Sequence, residues 1–249
     1  MAPDRPGKDS PLRRDIERQP SVLAALQLRQ AEFITAGHTW LRPDAGGRLF
    51  VAGCGDGYFA AAAAQNFAER LHLAWQVTGP LDLLLGSARL TPADRLLVIS
   101  MSGNVDRTVE SALAAKAAGT PVLALVNSPR GGRLGEIANA CISLQLEDLA
   151  PFLCGTSSYT ATLLALLALA VGAADGLAVP SLDTILDAQR LALAQTDGVL
   201  HKLGLPSGVR LLSAGADRAT VAYGAAKLVE LTQIPAWSGD LEEFAHSQY

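Results

Sequence analysis

Cysteine is scarce in this sequence. Three occur in 249 residues, Cys54, Cys141 and Cys154, in no spacing a metal site would use. That pattern offers no metal-ligand set and fits a reduced, cytoplasmic setting. Basic blocks are lacking as well. Twenty Lys and Arg stand against 24 Asp and Glu, a net charge of −4, and basic residues do not interleave with aromatic ones. Nucleic acid is therefore not expected as a partner. Long hydrophobic runs are also missing. The most apolar, residues 163–174, is interrupted by Asp175, well below the roughly 20 residues that span a bilayer. It reads as a core helix, and no membrane partner is expected. The opening "MAPDRPGKDSP" carries no apolar signal segment and reads, over 1–14, as a frayed tail.

What is present is enough apolar matter for a sizeable core, 49% of residues against 18% charged. From Arg48 onward, apolar runs bounded by turn residues alternate with helical patterns. Strands are expected at 48–55, 73–79, 95–102, 121–127 and 141–147, with helices between them. The alanine run Ala60–Ala64 is expected to pack a helix on the sheet, and Cys54 to be a buried turn residue without redox role. Near-continuous apolar strands separated by helices indicate an α/β fold. The expected architecture is a doubly wound, parallel, five-stranded sheet of flavodoxin-like order.

After Pro151 the pattern changes. Two helices, about 153–174 and 181–203, follow without strands between them. Then "VRLLSAGA" (209–216) repeats the strand-plus-glycine signature of 48–55, and "ATVAYGAAKLVELTQI" repeats the helix behind it. A second, incomplete copy of the first unit is expected from Val209, with one strand and helices only. An unfinished unit cannot bury its strand alone. Either the chain is a fragment of a longer protein, which is the expectation, or something else covers that edge. The expected division is a tail (1–14), a helical segment (15–47), the first unit (48–175), then a linker helix and partial second unit (176–249).

The stretch "RLLVISMSGNVDRTVESALAAKAAG" places Ser100, Ser102, Gly103 and Asn104 where a buried strand turns into a helix. In parallel sheets ligands collect outside the carboxyl ends of the strands. A helix start there offers unpaired N–H groups and a positive dipole end to an anion such as phosphate. The short polar side chains add donors, and Gly103 lets the backbone come close. The same residues also serve as ordinary helix caps.

Several segments together resemble the sugar isomerase (SIS) superfamily, in particular the isomerase half of glutamine–fructose-6-phosphate aminotransferase and shorter relatives. They are "DIERQPSVLAAL" from Asp15, "GCGDGYFAAAA", "SMSGN", "CGTSSYTATLLALLALA" and "GAAKLVELTQIPAWSGDLEEFAHSQ". The last is the most specific, pairing Lys-x-x-Glu with a histidine sixteen residues after the glutamate. The resemblance implies two SIS units, the second incomplete here. It implies a sugar phosphate held by Ser100 and Ser102 with Gly103 and Asn104, by the glycine turn Gly55, Asp56 and Gly57, and by Asn127 and Ser128. It makes Glu230 the base that moves a proton between C1 and C2, with Lys227 beside the substrate. His246 would open the sugar ring in a neighbouring subunit's site, so a homodimer with a shared active site is implied. A carboxylate in a partly dry pocket and a histidine suit such proton transfers. Read without the resemblance, Lys227 and Glu230 are a helical ion pair and His246 is a surface residue.

The sequence departs from the family pattern at the cradle. Asp56 and Gly57 stand where Thr-Ser is usual, Val105 where a threonine is, and Met101 where the aminotransferases carry Gln. An ionised Asp56 facing the cradle would repel a phosphate dianion. The chain begins Met-Ala-Pro, without the cysteine a glutaminase needs, so no glutaminase domain is expected. The expected function is a sugar-phosphate or amino-sugar-phosphate aldose–ketose isomerase or deaminase of amino-sugar metabolism, without metal or cofactor. The alternative is a non-catalytic sugar-phosphate-binding sensor or regulatory module.

Overall fold

A computed structural model describes residues 10–86, 89–150, 153–174, 182–203 and 206–247. Three helices lead in: α1 (Pro11–Glu17), α2 (Gln19–Leu28) and α3 (Gln30–Trp40). Helix α1 starts inside the stretch expected to be tail, because Ser10 caps it through the Arg13 N–H and Pro11 sits at its first turn. Residues 1–9 of that tail lie outside the described residues.

The first unit runs β1 (Leu49–Gly53), α4 (Asp56–Arg70), β2 (Trp75–Thr78), α5 (Pro80–Leu84), β3 (Arg95–Ile99), α6 (Asp106–Ala117), β4 (Val122–Val126), α7 (Gly132–Ile137) and β5 (Ala140–Ser143). All five strands are parallel in the order β2-β1-β3-β4-β5. This is the doubly wound, flavodoxin-like order expected.

Side-chain alternation splits each strand between two layers. Leu49, Val51, Leu97, Ile99, Leu123 and Leu125 face one side, and Phe50, Ala52, Leu96, Val98, Ala124 and Val126 the other. The first face packs on α4 and, following β5, on α8 (Ser157–Ala174); the second packs on α6. Each fully buried leucine contributes roughly 1.5–3 kcal/mol. The alanine run behaves as expected: Ala60, Ala61 and Ala64 are fully buried in the sheet-facing side of α4.

Helix α8 begins at Ser157, a few residues inside the helix expected over about 153–174. Its 18 residues have a mean hydropathy of 1.6, long and apolar enough to cross a membrane by composition alone, yet 72% of it is buried inside the fold. It lies against α3 so closely that a Cβ on Gly37 would overlap the carbonyl of Leu169, and one on Gly172 that of Ile34.

Helix α9 (Leu182–Leu203) leads to a second sheet of two parallel strands, β6 (Val209–Ser213) and β7 (Ala236–Asp240), with α10 (Arg218–Thr232) between them and α11 (Leu241–Ser247) after. The expectation of a lone strand is thereby corrected. β7 pairs with β6 from Val209↔Ala236 to Ser213↔Asp240. Its sequence, "AWSGD", carries too little apolar character to announce a strand. Cys54 is likewise corrected: it is exposed, because β1 ends at Gly53 and the turn leaves the sheet. β5 stops at Ser143, short of 147, where Gln145 takes a φ of 59° that no strand accommodates.

Candidate functional site

Beyond the carboxyl ends of β1, β3 and β4 lies a cleft of about 640 Å³. Asp56 reaches it from the start of α4, and Met101 and Asn127 from the turns after β3 and β4. The segment Leu146–Ala150, freed by the early end of β5, forms one wall, and the start of α8 with Gly155 and Ser158 forms another. Lys227 and Glu230 enter from α10.

Helix α10 is fixed there by an aromatic stack. The rings of Tyr223 and Tyr159 lie 3.8 Å apart and nearly parallel, at 9°. The Tyr223 hydroxyl donates to the Gly155 carbonyl at 2.9 Å, and the Tyr159 hydroxyl meets Thr220 Oγ1 at 3.1 Å. Each stacked pair of this kind adds about 0.5–1.5 kcal/mol beyond the area it buries.

Lys227 therefore arrives in a defined place. Its Nζ sits 2.7 Å from Asp56 Oδ1 and 2.7 Å from Glu230 Oε2, over the Tyr223 ring at 5.5 Å. Burial pulls the Lys227 pKa down, but the hydrogen bonds from Lys227 to Asp56 and Glu230 outweigh it and raise the pKa overall. Burial pushes the Asp56 carboxyl up, against the lowering effect of Lys227. The ammonium holds its charge between two carboxylates. Nearby, burial also raises the Cys154 thiol; Lys227 opposes that rise and the Glu230 carboxylate beside it adds to it.

The floor near α8 rests on a residue the sequence pattern contained but did not explain. Asp15 is 2% exposed. Its carboxylate accepts from the N–H and hydroxyl of both Thr156 and Ser157, at 2.6 to 2.9 Å. It thereby caps the start of α8. Arg18 completes the arrangement at 2.7 Å from Asp15 Oδ1 and 3.1 Å from Ser157 Oγ. Burial raises the Asp15 pKa, but the hydrogen bonds from Ser157 and Thr156 override it and lower the value to about 2.

The serine loop is folded onto itself. Ser102 Oγ accepts from the Asn104 N–H at 3.1 Å, and the Asn104 amide donates back to the Ser102 carbonyl at 3.0 Å. Asn104 Oδ1 accepts from the Arg133 N–H at 3.0 Å. Gly103, at φ 68°, approaches Gly131 so closely that a Cβ would overlap its carbonyl oxygen. Ser100 is buried, and its hydroxyl has no hydrogen-bond partner among the described residues. Met101, between the two serines, lines the cleft; Ser100, Ser102, Gly103 and Asn104 do not.

The remaining expected residues divide in the same way. Asn127 lines the cleft, but its carboxamide is engaged with Leu146, donating to the carbonyl at 3.1 Å and accepting from the N–H at 2.6 Å. The Ser128 N–H donates to the Met101 carbonyl at 3.1 Å. Gly55 starts α4 with φ 53°, and Gly57 is buried where a Cβ would press on Ile99. His246 is on α11, exposed, with Nε2 3.0 Å from Glu242 Oε1, and it does not line the cleft. Glu147 and Asp148, which do line it, carried no signal in the sequence beyond their charge. Among the described residues no group of three His, Cys, Asp or Glu side chains is placed to hold a metal ion.

A family model described as "SIS domain" matches residues 44–172. No curated protein matches the chain in sequence. Solved structures share its fold. The C-terminal domain of glucosamine-fructose-6-phosphate aminotransferase from Francisella tularensis aligns at TM-score 0.75 and 16% identity, over 99% of this chain and 74% of that one. Tagatose-6-phosphate ketose/aldose isomerase from Escherichia coli aligns at TM-score 0.75 and 19% identity, over 99% and 72%. Glucosamine-6-phosphate deaminase from Thermotoga maritima aligns at TM-score 0.74 and 17% identity, over 96% and 72%.

Proposed function

This chain belongs to the SIS domain family, and from that premise we propose that it is a sugar-phosphate or amino-sugar-phosphate aldose–ketose isomerase or deaminase. The observation that carries the reading is the meeting of Glu230, Lys227 and Asp56 in one cleft at the carboxyl edge of a parallel sheet. A carboxylate facing a cleft beside a fixed ammonium suits proton transfer next to a carbonyl. In this reading the Glu230 carboxylate removes the proton from C2 and returns it to C1. The Lys227 ammonium offsets the charge that develops on the enediol oxygen.

His246 would act in the cleft of a neighbouring subunit, as the resemblance implies, since in its own chain it lies outside the cleft. A homodimer with a shared site belongs to the same proposal. So does a first SIS unit over 48–175 followed by part of a second. The three cysteines Cys54, Cys141 and Cys154 are all free, which fits a cytoplasmic setting.

One observation bears on phosphate binding in either reading, as an isomerase or as a non-catalytic sugar-phosphate-binding module. The serine loop is bonded within itself, so Ser100 and Ser102 would have to turn toward the cleft to hold a phosphate. Glu230→Gln separates the two readings. In an isomerase it removes turnover by two orders of magnitude or more while sugar-phosphate affinity changes little. Wild-type protein that binds sugar phosphates and turns none of them over would establish the sensor instead.

A further inference from the structure

Asp56 is a departure from the family pattern, and the structure shows where it points. It stands in the first turn of α4, whose N-cap, Gly55, has no side chain to offer. It thereby adds a negative charge near the positive end of a 15-residue helix, with its carboxylate paired to Lys227. It lines the cleft, and its Oδ2 faces Gly155 across the opening.

The charges around it are mostly negative. Asp15 and Arg18 are joined to each other. Of the other ionised groups lining the cleft among the described residues, Asp56, Glu147, Asp148 and Glu230 are carboxylates and Lys227 is the single ammonium. That ammonium is already held by Asp56 and Glu230, each at 2.7 Å. A ligand phosphate at this end would meet a surplus of negative charge and a lysine already engaged by two carboxylates. A ligand ammonium would meet carboxylates with unused acceptor positions.

We propose that Asp56 is a specificity-determining residue that makes the α4 end of the cleft accept the amino group of an amino sugar and turn away an anion. Any phosphate on the same ligand then lies away from Asp56. The inference rests on the functional reading above and names which sugars that site prefers.

The test compares glucosamine 6-phosphate with glucose 6-phosphate, which differ in one amino group, by calorimetric titration of wild type and Asp56→Asn. Wild type should bind the amino sugar roughly tenfold or more tightly, the worth of one charge-assisted hydrogen bond. In Asp56→Asn the two affinities should converge, and inorganic phosphate should bind more tightly as one of the two carboxylates holding Lys227 loses its charge. Asp56→Ser, with a smaller uncharged side chain, guards against a local packing effect and should behave alike. An unchanged preference in both variants, with binding intact, overturns the role of Asp56 and leaves the isomerase reading standing. Binding of neither sugar by wild type overturns both.

Discussion

Asp15 Oδ1 lies 2.6 Å from the hydroxyl of Ser157, a residue 142 positions further along the chain. This contact ties the first helix to the start of the most buried one, and it explains why an acidic residue opens the "DIERQP" segment. Four donors from Thr156 and Ser157, joined by Arg18, converge on one carboxylate, so its loss strands several groups at once. Asp15→Ala should cost about 2–4 kcal/mol and Ser157→Ala about 1 kcal/mol. A urea-melt double-mutant cycle should show strong coupling between them. Additive effects would mean that the cap is not shared.

The same carboxylate sets an acid limit. Asp15 is lowered to about 2 and so is Asp94, where burial is outweighed by Arg48 and Thr91. A carboxyl whose pKa falls on folding stabilises the native state above its unfolded value, near 4, and loses that contribution as pH drops through the folded value. Each should contribute at most about 2 kcal/mol at neutral pH. Stability should therefore fall between about pH 4 and pH 2, and the fall should be smaller in Asp15→Asn and Asp94→Asn. Acid melts monitored by circular dichroism would show it; an equal fall in all three proteins would not fit.

Close packing of α3 on α8 gives a third expectation. Gly37 and Gly172 each face a backbone carbonyl across the interface with no room for a methyl group. Gly172→Ala forces the helices apart, and overpacking of this kind costs roughly 1–3 kcal/mol. Alanine is the better helix former by about 1 kcal/mol, so a gain in stability on thermal melting would show the interface to be looser than described.

The first unit was legible because burial on both faces makes its strands continuous apolar runs, with Leu96–Ile99 and Val122–Val126 wholly buried. The second sheet was only half legible, since β7 holds Ser238, Gly239 and Asp240 and is largely open to solvent. The site shows the same division. Lys227 and Glu230 sit three apart on one helix, a spacing that sequence displays directly. The partner that fixes Lys227 is Asp56, far away in sequence, and nothing local reveals that the two meet. The serine loop looked like a cradle because hydroxyls gather there; whether they face a cleft or their own backbone depends on Arg133 and Gly131, beyond the next strand. Cys54 looked buried because it follows an apolar strand, but the chain has already left the sheet at that point.

Solvent exchange at the sugar carbons tests the role of Glu230 most directly. Wild-type protein would be incubated in deuterated buffer with glucosamine 6-phosphate or fructose 6-phosphate, and the C1 and C2 protons followed by nuclear magnetic resonance. With Glu230 as the base, wild type should incorporate deuterium at one of these carbons and Glu230→Gln should lose that incorporation by about a hundredfold or more. Exchange at the wild-type rate in Glu230→Gln would contradict the assignment.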